Sequence, residues 1–363
     1  MRREFLINPG LTYLNCGSIG LCPQRVLDTV CEHLRHVEKD PFEHAFGAPV
    51  DIGAKAAEFI GAKRDEVAVM RNTTEGMNAV ATALKLRSGD EILTTNHEHS
   101  GGMICWQHLA REFGARVVCV ELPAPVADKA QLLDRITSRI TGRTRVCSLS
   151  HVDTLTGCVM PLADIAQITR PKGILLVCDG AQVPGMMNVD VKALGVDTYA
   201  SSSHKWMLAP KGNGLLYVRK EIQKQVPLVS QFSGYGQAAY SGSGGTQNVA
   251  GLLGHAAAMD FHNAIGRNQV EARCRQLNIQ MRRRLDALPG LALRHLPLRS
   301  WRRRLRRRGW RPRGRCRPSA AGSRPVVRGP PERARCSLPR TGRRQGPRPW
   351  RSSRCRGPWR RPG

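Results

Sequence analysis

A single lysine, Lys205, stands in the run Ser-Ser-Ser-His-Lys-Trp that ends at Trp206, directly after a short β-type segment. This position lies where an apolar strand leaves the core of an α/β protein. Lysines are seldom buried, and desolvation lowers the pKa of an amine, which favours its use as a nucleophile. Such a lysine is suited to Schiff-base formation with a carbonyl cofactor. On this run alone, a lysine that caps a strand-to-loop junction is an equally good interpretation.

Four other groups of polar residues also follow β-type runs. They are Arg71-Asn-Thr-Thr-Glu-Gly-Met-Asn78, Asn96-His-Glu-His-Ser-Gly-Gly102, His151-Val-Asp-Thr-Leu-Thr-Gly157 and Asp179-Gly-Ala-Gln182. In open parallel sheets, ligands bind beyond the C-terminal ends of the strands. Together with the segment around Lys205, five polar loops at one sheet edge therefore predict a binding site there.

The residue types indicate what such a site could hold. Asn72-Thr-Thr-Glu-Gly opens a helix with Thr73 or Thr74 as its N-cap, and hydroxyls beside free backbone N–H groups suit a phosphate. Asp179 ends an apolar strand and needs a partner, for which a protonated ring nitrogen would serve. His99 offers a flat ring that could stack on a planar cofactor. Each residue also has a plainer interpretation. The threonines could simply cap the helix, Asp179 could cap backbone N–H groups, and His99 could be a loop residue with ordinary hydrogen bonds.

A phosphate cradle, a ring stacker, an anion and a buried lysine are together the parts needed to hold pyridoxal 5′-phosphate (PLP). The same sequence disfavours a P-loop NTPase and a dinucleotide-binding protein. The chain has no Gly-x-x-x-x-Gly-Lys-Ser/Thr motif, and no Gly-x-Gly-x-x-Gly follows its first β-type run.

Seven β-type runs alternate with helical patterns from Glu66 onward. The runs are Val67–Met70, Glu91–Thr95, Arg116–Leu122, Arg145–Ser150, Ile174–Cys178, Thr198–Ser202 and Gly214–Val218. The helical patterns include Pro23–Lys39, Glu75–Leu86, Met103–Phe113, Lys129–Ile140, Leu162–Thr169 and Gln269–Leu288. Several runs are continuously apolar, as in strands buried on both faces. This alternation predicts an α/β fold with an open, mostly parallel seven-stranded sheet and helices on both faces.

The order of these motifs resembles that of the class V aminotransferases, a family of fold-type I PLP enzymes. The family includes cysteine desulfurases and isopenicillin N epimerase-like proteins, and the resemblance covers about Tyr13 to Leu288. It implies a fold-type I architecture, PLP as cofactor and an amino acid as substrate. The opening Tyr-Leu-Asn-Cys-Gly-Ser-Ile-Gly is most similar to the epimerase-type branch, which implies that Asn15 lies near the substrate.

The resemblance also implies a role for the lysine and for its neighbours in the sequence. Lys205 would be the Schiff-base lysine, with Ser202 and His204 in contact with the cofactor phosphate. Thr73 and Thr74 resemble the phosphate-binding turn of the family.

The resemblance also implies which residues contact the ring of the cofactor. His99 matches the ring-stacking position, and Asp179 and Gln182 resemble the partners of the pyridine nitrogen and of the O3′ oxygen. Thr154 is a weaker match near the O3′ side. Thr246, in Gly-Gly-Thr-Gln-Asn, is similar to a threonine that reaches the phosphate of the neighbouring subunit, which implies a homodimer.

The resemblance leaves the reaction open among the aminotransferase, epimerase and Cβ–S lyase types. In each, the lysine could move the α-proton of the substrate while Asp179 is paired with the ring nitrogen. The arginine for the substrate carboxylate cannot be assigned, and no cysteine has the setting of a desulfurase nucleophile. A PLP-binding but catalytically impaired homologue is therefore the alternative, and a nucleic-acid-binding protein is a less favoured one.

Composition divides the chain into four predicted segments. They are an N-terminal substrate-side segment at 1–22, a large PLP-binding domain at 23–265, the start of a small C-terminal domain at 266–298 and an Arg/Pro/Gly-rich tail at 299–363. The tail holds 24 arginines, one acidic residue and no lysine, so it carries +23 of the net +29 and leaves +6 for the other residues. Such a composition cannot form a hydrophobic core, and the tail is predicted to be disordered.

Two hypotheses account for the tail. Arg-rich runs commonly bind nucleic acid, so the tail could be a basic arm. Arg, Pro, Gly, Ala and Trp also have GC-rich codons, so a GC-rich gene read out of frame after about Pro297 would have the same composition. The break falls inside an expected domain, which favours the frameshift and disfavours nucleic acid as a partner.

The cysteines indicate the compartment. Nine of the 12 lie singly before position 299 without a Cys-x-x-Cys pair, so no metal site is predicted. Cys119, Cys147 and Cys178 stand in apolar runs, where cysteine behaves as a small hydrophobe. Unpaired thiols, the absence of an apolar signal core and the absence of a run of about 18 apolar residues predict a cytoplasmic protein with no membrane partner.

Overall fold

The computed structural model describes residues 2–45, 51–123, 128–228 and 247–288. Its α-helices are α1 (Gln24–Lys39), α2 (Pro41–Ala45), α3 (Ile52–Ile60), α4 (Thr73–Ala83), α5 (Ser100–Phe113), α6 (Lys129–Thr137), α7 (Leu162–Thr169), α8 (Val191–Leu194), α9 (Val249–Ile265) and α10 (Arg267–Asp286). Its strands are β1 (Val67–Met70), β2 (Glu91–Thr95), β3 (Arg116–Val120), β4 (Thr144–Ser150), β5 (Leu175–Asp179), β6 (Thr198–Ser202) and β7 (Gly214–Val218).

The strands of the described residues form one sheet in the order β1-β7-β6-β5-β4-β2-β3. β7 runs antiparallel to both of its neighbours, β1 and β6, and the other neighbouring pairs are parallel. The predicted α/β fold with a seven-stranded, mostly parallel sheet is therefore confirmed. Because β1, β2, β4, β5 and β6 point in the same direction, their C-terminal ends share one edge of the sheet with the start of β7.

Successive residues of the central strands pack on opposite faces of the sheet. In β5, Leu176 and Cys178 lie in an apolar cluster with residues of α3, α6, α7 and α9. Val177 lies in a second cluster with residues of α4 and α5. Helices therefore cover both faces, as predicted, and the burial of both faces explains why these strands are continuously apolar.

The predicted N-cap of α4 is wrong. Asn72, and neither Thr73 nor Thr74, caps this helix, and the Asn72 side chain accepts the Glu75 backbone N–H at 2.9 Å. Asn72 has extended backbone angles, so its short side chain folds back onto the helix start. Both threonines consequently lie inside the first turn.

Strand limits were predicted better than helix limits. β1, β2, β6 and β7 have the predicted bounds, whereas α5 begins at Ser100 instead of Met103 and α4 ends at Ala83 instead of Leu86. Two glycines in the first turn of α5 hid the start of its helical pattern. Cys147 and Cys178 are buried as predicted, but Cys119 is exposed, because β3 is an edge strand.

Helices α9 and α10 meet at Gly266, which has a φ of 92° and is the C-cap of α9. This break coincides with the predicted start of the small domain at 266, while the division into segments at 1–22, 23–265 and 266–298 stays a prediction. The predicted tail at 299–363 lies outside the described residues. Among the described helices, none combines the length and apolar character needed to span a bilayer.

Candidate functional site

Hydrogen bonds link the loops that follow neighbouring strands along the shared sheet edge. Thr73, after β1, is bonded to Ser202 at the end of β6. Glu98, after β2, is bonded to Ser150 at the end of β4, and Ser150 pairs with Asp179 of β5 in the ladder. The polar loops that the sequence placed at this edge therefore converge.

Thr73 and Ser202 form a buried hydroxyl pair. The Thr73 backbone N–H donates to Ser202 Oγ at 2.9 Å, and the two side-chain oxygens lie 2.8 Å apart. The pair lies at the N-terminus of α4, where the helix dipole favours an anion. Thr74 is exposed on the same turn. Three of the predicted phosphate contacts thus lie together.

His99 is the N-cap of α5. Its Nδ1 accepts the Gly101 backbone N–H at 3.0 Å, and the residue is exposed. A Cβ on Gly101 would lie 2.6 Å from Thr74 Oγ1, so the missing side chain allows the first turns of α4 and α5 to approach each other. The Nδ1 atom of His99 therefore has a hydrogen-bond partner within its own loop, as the alternative interpretation of this histidine expected. The ring-stacking role of His99 stays a prediction.

The carboxylate of Asp179 is buried at the end of β5. Its Oδ1 accepts the Ala181 backbone N–H at 3.0 Å, while Oδ2 has no hydrogen-bond partner in the described part of the chain. Oδ2 faces α5, because a Cβ on Gly102 would lie 2.7 Å from it. Burial raises the pKa of Asp179, whereas the Ala181 bond and the charge of Lys205 lower it. This unpaired oxygen on a buried residue can accept from a donor such as a protonated ring nitrogen.

Lys205 is partly buried directly after β6. Desolvation lowers the pKa of its amine, and the negative charge of Asp179 acts in the opposite direction. The Lys205 backbone N–H donates to the Ser202 carbonyl at 3.2 Å. Within the described ranges the side-chain Nζ has no hydrogen-bond or ion-pair partner, so the amine makes no contact that would cap the strand.

His204 is held by the residue before β7. The Asn213 carbonyl lies 3.2 Å from His204 Nδ1 and accepts the Ser203 backbone N–H at 2.9 Å. Burial lowers the pKa of His204. The roles of Ser203 and Asn213 were missed by sequence reasoning, because Lys-Gly-Asn-Gly at 211–214 reads only as a turn before a strand.

The opening segment packs directly against the lysine loop. The Gly20 backbone N–H donates to the His204 carbonyl at 2.7 Å, and Lys211 Nζ donates to the Gly20 carbonyl at 2.9 Å. A Cβ on Gly20 would overlap the carbonyl oxygen of Lys205, so only glycine fits there. The glycine therefore serves backbone-to-backbone packing beside the lysine.

Gln182 joins the opening segment to the same loop. Its Nε2 donates to the Gly17 carbonyl at 3.0 Å, and its Oε1 accepts the Trp206 indole N–H at 2.8 Å. One amide hydrogen of Gln182 remains for another acceptor. Its proposed contact with the O3′ oxygen stays a prediction.

The remaining predicted site residues have fewer contacts. Asn15 is exposed, and its backbone carbonyl accepts the Ser18 backbone N–H at 3.0 Å in a turn. Thr154 is exposed on the loop after β4. Thr246 lies outside the described residues. The roles suggested for these three residues stay predictions.

A buried pair that the sequence did not suggest, His97 and Asp153, lies between the loops after β2 and β4. Both side chains are 0% exposed, and His97 Nδ1 lies 3.7 Å from Asp153 Oδ2, which is long for a hydrogen bond. Asp153 also accepts the backbone N–H groups of Leu155 and Thr156. Burial, the largest influence, raises the pKa of Asp153, but the contacts with His97 and Thr156 outweigh it and lower that pKa.

The residues present fit a planar cofactor with a phosphate arm. A hydroxyl pair at a helix N-terminus suits the phosphate, and the unpaired oxygen of Asp179 suits a ring nitrogen. The amine of Lys205, with its lowered pKa, suits an aldehyde carbon. These are the three recognition tasks that PLP sets.

Comparison with known proteins gives one family. The family model described as aminotransferase class-V matches residues 21–301. The chain is 31% identical over 315 residues to isopenicillin N epimerase of Amycolatopsis lactamdurans, which covers 80% of this chain and 79% of that protein. It is also 31% identical over 306 residues to a cysteine desulfurase of Cronobacter sakazakii, with 78% of this chain and 74% of that protein covered.

Solved structures agree with this assignment. A Lys-to-Ala mutant of the protein C-DES, with glycine covalently linked to its PLP cofactor, superposes with a TM-score of 0.72 at 25% identity and covers 80% of this chain and 81% of its own. The cysteine desulfurase CsdA of Escherichia coli superposes with a TM-score of 0.66 at 28% identity and covers 80% of this chain and 77% of its own.

Proposed function

The chain belongs to the class-V aminotransferase family, and we propose that it acts on an amino acid with Lys205 as the residue that binds the cofactor covalently. Its cofactor is PLP, which the family uses and the related C-DES structure contains. The observation that carries the proposal is the meeting of three groups at one sheet edge. These groups are the amine of Lys205, the unpaired oxygen of Asp179 and the Thr73–Ser202 hydroxyl pair.

When bound, PLP supplies an electron sink that eases the breaking of bonds at the α-carbon of an amino acid. The first turn of α4 binds and orients the phosphate, because the hydroxyls of Thr73, Thr74 and Ser202 add donors to the positive end of the helix dipole. His204 would lie beside the same group. Asp179 holds a proton on the ring nitrogen, since an adjacent buried anion favours the protonated form.

Lys205 has a second task after covalent attachment. Its amine would take the α-proton of a bound amino acid and return it. The lowered pKa of Lys205 leaves a larger share of the amine unprotonated at neutral pH, which suits a base. Where the proton returns, and which bond breaks next, separates transamination from epimerisation and Cβ–S cleavage.

A PLP-binding but catalytically impaired protein is the second candidate. The family match ends at residue 301, where the arginine-rich composition has already begun. The arginine expected to bind the substrate carboxylate has no counterpart in a matching context there. Cofactor binding depends on residues before this point, so it can persist without turnover.

A homodimer and a cytoplasmic location complete the proposal. Leu14 is 88% exposed, Ile104 is 54% exposed and Leu155 is 53% exposed, and they lie on three segments that border the site. Exposed apolar residues around one site suit a protein interface. The nine cysteines of the described residues are unpaired, which supports a reducing compartment. Sedimentation velocity should give twice the monomer mass, and a monomer that retains its cofactor would contradict the dimer.

Replacement of Lys205 tests the cofactor assignment. The purified chain mixed with PLP should gain a visible absorbance band that borohydride bleaches. The reduced cofactor then serves as a label, and it should be attached to the peptide that contains Lys205. Lys205→Ala should lack this product, whereas Lys172→Ala, a change at an exposed lysine, should retain it. Equal labelling of wild type and Lys205→Ala would refute the assignment.

A panel of amino acids then separates the two candidates. Release of a keto acid, loss of optical rotation or release of sulfide would identify the reaction type. A chain that binds PLP but gives none of these products is the impaired homologue.

A further inference from the structure

The carboxyl group of Glu98 lies next to the candidate site and has no role in the function described above. Glu98 immediately precedes His99 in the loop after β2. One of its oxygens accepts the Thr95 hydroxyl at 2.8 Å, and the other accepts the Ser150 hydroxyl at 2.6 Å. The residue is partly exposed, but its carboxyl group is buried. Two hydroxyls therefore hold one buried carboxyl between the ends of β2 and β4.

Ser150 also connects Glu98 to Asp179. Ser150 is the last residue of β4, and it pairs with Asp179, the last residue of β5. Glu98 is thus bonded to the residue that neighbours Asp179 in the sheet, and the charge of Asp179 acts on Glu98. Like charges in a buried region disfavour simultaneous ionisation, so the charge state of one group affects the other.

The surroundings of Glu98 make it titratable near neutrality. Burial raises the pKa of Glu98 to about 7, the negative charge of Asp179 adds to the rise, and the hydroxyl bonds oppose it. The thiols of Cys147 and Cys178 also lie in electrostatic range. Burial raises the pKa of Cys147 to about 12 and that of Cys178 well above its ordinary value, so both thiols stay neutral. His99, the next residue along the chain, acts on Asp179 from the same loop.

We propose that Glu98 is a positioning residue of the cofactor site, which acts through the Ser150–Asp179 layer and adjusts how strongly Asp179 holds a protonated ring nitrogen. This inference rests on the proposed function. With a proton on Glu98, Asp179 is the negative group of the pair. Loss of that proton adds a second negative charge beside Ser150, which stabilises a cation at the site.

The first experiment uses the full chain without cofactor. Infrared difference spectra across pH 7 should show the loss of one protonated-carboxyl C=O band in wild type, because Glu98 ionises there. Glu98→Gln should lack this band. In Ser150→Ala the band should disappear at a higher pH than in wild type, because a hydrogen-bond donor to the ionised form of Glu98 is gone. A spectrum that is the same in wild type and Glu98→Gln would overturn the proposed ionisation of Glu98.

The second experiment uses the PLP-loaded chain. The visible absorbance of this form changes with pH, and the midpoint of that change should be lower in Glu98→Gln than in wild type by roughly half a pH unit or more. The reason is that a nearby negative charge, which favours the protonated form, is lost. Glu112→Gln, at an exposed position of α5, should leave the midpoint unchanged. A merely structural bridge between β2 and β4 predicts altered stability with the wild-type midpoint, and that result would overturn the inference alone. A wild-type chain that binds no PLP would overturn the proposed function and this inference together.

Discussion

At the residue scale, Asp179 and Lys205 act on each other through charge. Burial lowers the pKa of Lys205, and the charge of Asp179 opposes this change. Burial raises the pKa of Asp179, and the charge of Lys205 opposes that rise. Both groups are desolvated, and among the described residues neither the amine of Lys205 nor Oδ2 of Asp179 has a hydrogen-bond partner. A cofactor with an aldehyde and a ring nitrogen satisfies both at once.

Replacement of Asp179 by asparagine should weaken cofactor binding. The side chain keeps its size but loses the charge-assisted hydrogen bond, which is worth roughly 1.5–3 kcal/mol, so the Kd for PLP should rise roughly ten- to a hundredfold. Equilibrium dialysis with PLP measures this change. The exposed Asp134 of α6 provides the control, because Asp134→Asn should leave the Kd unaltered. Equal affinity of Asp179→Asn and wild type would show that Asp179 does not contact the ring nitrogen.

The sequence singled out Asp179 and Lys205 as candidates for chemistry, but it did not single out the residues beside them. Asp179 was predicted because a carboxylate at the end of an apolar strand is unusual, and Lys205 because a lysine at a strand end is unusual. Glu98 and Asn213 gave no such signal. A glutamate between two histidines reads as an ordinary loop residue, and its partly buried bond to Ser150 depends on a strand far away in the sequence.

At the scale of elements, the start of α4 determines the geometry of the proposed phosphate cradle. Asn72→Ala removes the N-cap, which should cost about 1 kcal/mol of unfolding free energy and also raise the Kd for PLP. Asp128 caps α6 through a similar bond to the Gln131 backbone N–H at 2.8 Å, and none of the site residues lies on that helix. Asp128→Ala should therefore cost similar stability at unchanged Kd. Urea unfolding and dialysis separate the two effects, and an unchanged Kd in Asn72→Ala would contradict the cradle.

Secondary structure was largely predictable from the sequence, with a clear limit at helix ends. Apolar runs marked the strands because the central strands are buried on both faces. Capping depends on which of several neighbouring polar residues has extended backbone angles, and Asn72 was indistinguishable from Thr73 in this respect. The edge position of β3, which exposes Cys119, follows from strand order and not from local pattern.

At the scale of the whole molecule, buried histidines make stability depend on pH. Burial lowers the pKa of His255 and of His151 to about 4 from an ordinary value of 6.5. His255 is 0% exposed, and neither ring nitrogen has a hydrogen-bond partner within the described ranges. The unfolded chain therefore binds more protons than the folded one between these values, so stability falls as the pH drops from about 6.5 to about 4.

The expected size of this loss is about 3 kcal/mol for each histidine. Glu98 acts in the opposite sense, because its raised pKa of about 7 makes its ionisation unfavourable in the folded state. Asp179, whose pKa burial also raises, acts in the same sense as Glu98, whereas burial lowers the pKa of His204 and His262 as it does for the other two histidines. Four histidines thus oppose two carboxyl groups, so urea unfolding should give a lower free energy at about pH 5 than at about pH 7.5. His255→Leu should reduce this difference, whereas His108→Leu, at an exposed position, should preserve it. The same pH dependence in His255→Leu and wild type would exclude His255 as a source.

The abrupt change of composition near residue 298 has a genetic test. The family match ends at residue 301, and the tail from 299 contains 24 arginines but no lysine or phenylalanine. A reading frame shifted after about codon 297 should encode apolar runs, lysines and acidic residues in a strand–helix alternation. Translation of codons 23–265 in the frame shifted in the opposite direction is the control, because this is the frame in which the tail would be read, and it should give an Arg/Pro-rich product like the tail. If neither alternative frame past codon 297 restores an α/β pattern, the arginine-rich tail is the encoded sequence.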